Sequence, residues 1–340
     1  MKDVYYIVAH RDQSEIDSFK TRYQKFDTSL IPAIFQKSLR LTVTNWKQST
    51  SWGTSHVIYF VYVKENSRPL VLRANLGFGE PEVVMLVEKL VTDAVTAIGI
   101  PTNHIAYVDV SRKFFPFDFQ IEEKLIGEDL ENHFSGSQKE YDRLSFELGS
   151  LLAKVHTIKY EGFGRFDETA ALENKLRGTK STFYEYITTC LEHDLQQLVI
   201  HQIIDLTHVN RIWKLFEERK SIMNTKLGSL VHHDLADHNI MFANNQITGI
   251  FDWEASVVGD PVLDLASCPT WRTHYPREQK LIAGYLSISS LPDDFDEKMK
   301  IYRLRTMLWK MVFATTAGIL NEQRKKKFLE ALTPFGFTIP

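Results

Sequence analysis

The chain carries only two cysteines, Cys190 and Cys268, far apart and in no metal-ligand spacing, so neither a disulfide scaffold nor a cysteine-held metal site is encoded. A reducing compartment is the expectation, with the cytoplasm as the default. No charge of one sign dominates either: Lys+Arg 40 against Asp+Glu 43 leave a formal net charge of −3. That balance lacks the electrostatic footprint of sequence-independent nucleic-acid binding and excludes nucleic acid as a partner. Long hydrophobic runs are missing as well. The most apolar late stretch, Met307 to Leu320, contains Lys310 and is flanked by Arg303, Arg305, Arg324 and Lys325, which predicts a buried helix and no membrane partner. The opening residues MKDVYYIVAHRDQSE are broken by charges before an apolar stretch reaches signal-peptide length, so no targeting segment is expected. There is no internal repeat and no low-complexity tract.

What is present suffices for a sizeable core. The 340 residues are 44% hydrophobic and 24% charged, the composition of one large domain or of two lobes sharing an interface. Mixed helical patterns over the first 40 or so residues give way to β-branched and aromatic residues from Leu39 to Asn75. Within that stretch, Val57, Tyr59, Val61 and Val63 alternate with Ile58, Phe60 and Tyr62, and the turn Glu65-Asn66-Ser67-Arg68-Pro69 leads into Leu70-Val71-Leu72-Arg73; the pattern predicts a hairpin. After Pro81, apolar residues at Val83, Val84, Val87, Leu90, Val91, Ala94 and Ile98 mark an amphipathic helix stopped by Gly99 and Pro101. Short strands resume at Ile105 to Val110 and Phe117 to Glu123. Beyond Gly127 the pattern is mostly helical, with a stripe of Leu144, Leu148, Leu151, Leu152 and Val155, and further helical stretches near 180–225, 277–287 and 297–331. The expected architecture is α+β in two lobes. A β-rich lobe with one helix spans residues 1–123, and a larger helical lobe interrupted by a single hairpin spans 124–340.

That interruption carries the chemistry. Leu230 to Phe242 and Gln246 to Glu254 flank the turn Ala243-Asn244-Asn245, and Asn239 precedes the turn by about as much as Asp252 follows it. Folding the hairpin therefore sets Asn239 and Asp252 side by side at its open end, with Asp234 in the loop that feeds the first strand. Phosphoryl transfer needs magnesium to neutralise phosphate charge, and magnesium prefers hard oxygen ligands such as the Asp252 carboxylate and the Asn239 carbonyl. Asp234 then remains as the base that orients an acceptor hydroxyl and takes its proton. His232 fits a bracing role in the same loop, and Asp264 a cap or anchor for a helix start after Pro261.

The segment His232-x-Asp234, with Asn239 five residues on, then Ile250-Phe251-Asp252-Trp253-Glu254 and Gly259-Asp260-Pro261-Val262-Leu263-Asp264-Leu265-Ala266, resembles the aminoglycoside phosphotransferase and choline kinase group of protein-kinase-like small-molecule kinases. Leu151-Leu152-Ala153-Lys154-Val155-His156 followed by Gly162-Phe163-Gly164 is similar to a helix-end signature of that group. The resemblance spans nearly the whole chain. It implies a protein-kinase-like fold, ATP or GTP as donor, magnesium, and a small-molecule hydroxyl as acceptor. It also implies an adenine hinge at Glu123-Lys124-Leu125-Ile126-Gly127, with Glu123 and Leu125 as nucleotide-site residues, and a basic residue on the third strand paired with a helix glutamate, matched by Arg73 and Glu88. The turn from Ser49 to His56, with Ser51, Gly53 and Thr54, would cover the phosphates. Three positions depart from the pattern: Arg73 stands where lysine is commoner, His233 where glycine is frequent, and Trp52 lies in the phosphate loop, where it either hinders the nucleotide or stacks on it.

Other readings stay open. A nucleotide-binding pseudoenzyme of the same fold predicts loss of a catalytic group, and none is lost. The crowding of His232, His233, Asp237 and His238 admits a zinc hydrolase, although an alternating histidine pattern would need histidine at 235, where the chain has Leu235. Trp271 and Tyr275 either line the acceptor site or belong to the core. Glu254, two residues after Asp252, and the acidic run Asp293, Asp294, Asp296 and Glu297 suggest a cationic acceptor such as an aminoglycoside-like alcohol, with a solvated acidic turn as the plainer reading of the run.

Overall fold

The computed structural model describes residues 21–49, 56–76, 83–268, 270 and 277–337. Helices α1 (Arg22–Lys25) and α2 (Ile31–Leu39) precede a five-stranded antiparallel sheet of β1 (Val43–Gln48), β2 (Val57–Val63), β3 (Leu70–Asn75), β4 (Ile105–Asp109) and β5 (Asp118–Glu123), in the order β1-β2-β3-β5-β4. The alternation along β2 has the expected cause: Val57, Tyr59, Val61 and Val63 are buried against Phe26, Ile34 and Phe35. Strand β3 is central and buried on both faces up to Ala74, so its one cation, Arg73, is carried into the protein interior.

Helix α3 (Val84–Ala97) lies where its periodicity predicts, but its apolar stripe does not join the core of this sheet. Val87, Val91 and Val95 pack with the core of the second lobe, while Glu88 on another face is fully buried and turned to β3. The helix therefore belongs to both lobes.

After Glu123 the chain crosses a short link. Gly127 adopts φ +104, and a Cβ there would collide with the carbonyl of Phe242, so only glycine serves. Then β6 (Glu128–Asp129) and the short α4 (Leu130–His133) lead into α5 (Gln138–Val155), opened by a capping box in which Glu140 reaches back to Ser137. Next come β7 (Lys159–Tyr160), β8 (Phe163–Phe166), α6 (Glu168–Leu172), β9 (Gly178–Lys180), α7 (Phe183–Ile187), α8 (Leu191–Ile200), α9 (Leu206–Glu218) and α10 (Lys220–Met223). The remaining strands are β10 (Gly228–Val231), β11 (Ile240–Ala243), β12 (Gln246–Ile250) and β13 (Val257–Gly259). They are followed by α11 (Val262–Ser267), α12 (Glu278–Leu286), α13 (Phe295–Thr316) and α14 (Glu322–Leu332).

One expectation needs correction. A single hairpin was to interrupt the helical lobe, yet that lobe holds a second five-stranded sheet, β7-β10-β13-β8-β9, besides the three-stranded β12-β11-β6. Its strands run only two to four residues, too short for any alternation to be legible. The stretch from Met307 to Leu320 lies largely within the long α13, and no helix among the described residues is long and apolar enough to cross a membrane.

Candidate active site

Strands β11 and β12 pair with Ile240 opposite Ile250, and the turn residues Asn244 (φ 49) and Asn245 (φ 62) both occupy the left-handed region that a tight two-residue hairpin demands. The pairing continues past the strand ends, where the Phe251 N–H donates to the Asn239 carbonyl at 3.1 Å. Asn239 and Asp252 thus stand on neighbouring backbones. The Asn239 amide nitrogen donates to the Asp234 carbonyl at 2.9 Å and lies 3.5 Å from the Asp234 carboxylate, which leaves the amide oxygen as the atom available to a cation. Asp252 itself is left-handed (φ 66, ψ 56), a conformation Asp tolerates, and it turns the chain sharply into a one-turn 3₁₀ segment, Trp253–Ala255.

The loop holding Asp234 is braced from behind. The Asp264 carboxylate accepts the backbone N–H groups of His232 and His233, each at 2.8 Å, and the Nε2–H of His156 at 3.1 Å, while His156 Nδ1 accepts from the Tyr285 hydroxyl at 3.1 Å. Burial pushes the Asp264 carboxyl up, but these donors outweigh it and hold it below the usual carboxylate range. Asp264 is therefore the anchor of the loop rather than the cap of α11; Asp260 accepts the Val262 N–H at 3.0 Å instead. His232 Nε2 donates to the Phe251 carbonyl at 3.1 Å, and its ring lies 4.4 Å from that of Trp253, so it joins the Asp234 loop to the Asp252 turn.

Arg73, on β3, is the hub of an anionic cluster. Its Nη1 reaches both Glu88 oxygens at 2.8 and 3.0 Å, and its Nη2 donates to Asp252 at 3.1 Å and to Glu254 at 3.2 Å. The same Glu254 oxygen accepts from His56 Nε2 at 2.7 Å. Gln120, opposite Arg73 on β5, donates to Glu88 at 3.1 Å and to Glu122 at 3.2 Å. Burial raises the Glu88 carboxyl to about 8, with the Arg73 charge pulling against it. Burial and the neighbouring Glu254 likewise push Asp252 up, again opposed by Arg73. One guanidinium faces four carboxylates here, Glu88, Asp252, Glu254 and Glu122.

A family model described as the phosphotransferase enzyme family matches residues 51–293, well over half of the chain. The chain belongs to that family. It is an enzyme, a small-molecule kinase on the protein-kinase-like fold. Among solved structures, aminoglycoside phosphotransferase APH(4)-Ia is similar at 16% identity and a TM-score of 0.66, over 92% of this chain and 99% of that one. Macrolide 2'-phosphotransferase MphH from Brachybacterium faecium is similar at 15% identity and a TM-score of 0.58, over 90% and 98% of the two chains. The streptomycin-ATP complex of APH(2")-IIa shows 17% identity and a TM-score of 0.57, over 91% and 96%. No curated protein matches the chain significantly.

In this phosphotransferase the residues expected from the sequence divide into four sets. Asp234, Asn239, Asp252, Arg73 and Glu88 are brought together. Leu125 packs on Gly249 of β12, where any Cβ would strike it, and Glu123 extends its side chain to solvent beside His104 at 3.5 Å. Ser51, Gly53, Thr54 and Trp52, together with Trp271 and Tyr275, lie outside the described residues. Glu254 stands beside Asp252 with its carboxylate engaged by Arg73 and His56. The acidic run near 293–297 is partly neutralised, with Asp294 paired to Lys298 and Glu297 to Arg219, so it lends no support to a cationic acceptor. The hydrolase set is not assembled either, because His232 faces the Phe251 carbonyl and the His233 ring meets Tyr186 edge-on.

Sequence reasoning missed His56, Gln120 and Glu122. The last two sit at i and i+2 on β5, one polar face in a buried strand, and that alternation was the available signal. His56 had none, since only tertiary folding brings residue 56 to residue 254.

Proposed function

We propose that the protein transfers the γ-phosphoryl group of ATP or GTP to a hydroxyl of a small molecule, by direct in-line attack. The observation that carries this reading is the meeting of Asp234, Asn239 and Asp252 at the open end of one hairpin, facing the Arg73–Glu88 pair. Asp234 accepts the proton of the acceptor hydroxyl as that oxygen bonds to phosphorus and the bond to the β-phosphate oxygen breaks, releasing nucleoside diphosphate. Arg73 turns its Nη2, which rests on Asp252 and Glu254, to phosphate oxygens, while Glu88 holds Nη1 and fixes its direction. The link at Glu123 and Leu125 holds the base, and the turn with Ser51, Gly53 and Thr54 covers the phosphates.

The donor set suits magnesium: hard oxygens on Asp252 and Asn239, at a place where burial and the neighbouring Glu254 raise the proton affinity of Asp252. Bound there, the ion neutralises phosphate charge. The acceptor is proposed as an aminoglycoside-like or other cationic alcohol. Its support is the likeness to structures that hold hygromycin B with AMP-PNP, or streptomycin with ATP, and not Glu254.

The test is incubation with each nucleotide, magnesium and a panel of aminoglycosides, macrolides, quaternary-amine alcohols and neutral sugars, reading diphosphate release and acceptor mass gain. Asp234→Asn should lower turnover by about 10² to 10⁴ while nucleotide still binds; unchanged turnover removes Asp234 as base. Affinity for a cationic acceptor should fall with added salt, and phosphorylation confined to neutral acceptors without salt dependence removes the acceptor class alone.

A further inference from the structure

Sequence spacing drew attention to Asp237 and His238, and the kinase reading uses neither. In the fold they meet Glu131, a residue of α4 more than 100 positions earlier: one donor atom from each of Glu131, Asp237 and His238 lies within 4.8 Å of the other two. We propose that these three side chains form a binding site for a zinc-class divalent transition metal, beside the Asp234 loop but separate from the magnesium ligands.

Geometry and donor chemistry both support the assignment. His238 Nδ1 stands 3.2 Å from Glu131 Oε2. Two ligands held about 2.0–2.2 Å from a tetrahedral zinc are separated by roughly 3.3 Å, so this pair already spans one edge of a coordination tetrahedron. Asp237 supplies the third donor from within 4.8 Å, and the fourth position is left to water. An imidazole nitrogen with two carboxylates selects zinc, cobalt or nickel over magnesium, which prefers an all-oxygen shell.

Exposure sets the approach. Asp237 is 7% exposed and forms the floor, whereas the side chain of His238 is 42% exposed and open to an ion arriving from solvent. A bound ion would staple α4, just past the link between lobes, to the 3₁₀ turn Asp237–Asn239 in the Asp234 loop.

The experiment uses the full chain with magnesium and a non-hydrolysable nucleotide in excess, so that the reaction centre is occupied. Equilibrium dialysis with zinc alone should show one saturable equivalent, and zinc should raise the melting temperature by several degrees. Cobalt in place of zinc should give visible absorption bands of mixed nitrogen and oxygen coordination at low coordination number. His238→Ala and Glu131→Gln should each weaken binding by about 10- to 100-fold, with metal-free melting temperatures near that of the parent chain. Asp252→Asn should leave zinc binding intact, which separates failure of this site from failure of the kinase reading. Absence of a saturable equivalent in the parent chain, or zinc binding undiminished in His238→Ala, overturns the proposal.

Discussion

His233 holds a backbone conformation of φ 71, which glycine adopts freely and a histidine adopts at a cost of about 1 kcal/mol or more. The residue is buried beside Tyr186, and burial lowers its imidazole to about 3, with Asp264 opposing the fall. An unfolded histidine binds its proton near 6.5, so between these values the unfolded state holds more protons and stability drops as pH falls. His233→Gly should therefore flatten the melting temperature against pH between about 6.5 and 3, with little change near pH 7, where relief of strain offsets lost packing; calorimetry across that range reads the slope. Glu88 makes a different demand. It is fully buried and holds Arg73 by two hydrogen bonds. Glu88→Ala should cost about 3 kcal/mol, because it strands one member of a buried pair, and should raise KM for nucleotide about tenfold by letting Arg73 turn wholly to Asp252 and Glu254. Chemical denaturation and initial-rate kinetics on the same preparation separate the two effects.

Helix α11 braces the loop of the proposed base through one carboxylate. Asp264 accepts two successive backbone N–H groups and a histidine N–H, so the position of the Asp234 loop depends on an acceptor 30 residues downstream. An asparagine keeps the shape but offers one accepting oxygen and turns an NH₂ group toward a donor. Asp264→Asn should destabilise by about 1–3 kcal/mol and lower kcat by up to about 10², with KM for nucleotide nearly unchanged, since the loop moves and Arg73 does not. Because the folded carboxyl lies below its unfolded value of 3.8, the stabilisation it gives is complete above that pH and is lost as pH falls through the lower folded value. The parent chain should accordingly lose stability more steeply than the variant below about pH 4, as acid titration followed by circular dichroism would show.

For the molecule as a whole, α3 decides how the lobes behave. Its valines are part of the core of the second lobe, while its Glu88 grips β3 of the first, so neither lobe buries its surface fully without this helix. Unfolding should therefore be a single calorimetric transition. Val91→Ala, at a site with no exposure, should lower its midpoint by an amount equivalent to about 2 kcal/mol without splitting it. Two resolved transitions in either protein would show that the lobes are stable separately.

How much of this was legible in the chain differs by region for physical reasons. Strand β2, the hairpin of β11 and β12, helix α3 and the trio Asp234, Asn239 and Asp252 were readable, because alternation, turn chemistry and helical period are local properties and the hairpin converts spacing directly into proximity. The second sheet was hidden, since strands of two to four residues are held by neighbours and carry no period of their own. The face on which the α3 valines are buried, the turn of Glu254 toward Arg73 and His56, the reach of Asp264 to the Asp234 loop, and the meeting of Glu131 with His238 were all decided by tertiary structure. A carboxylate's partner is whichever cation or N–H the packing delivers, and when that partner lies between about 30 and 200 residues away no spacing along the chain records it.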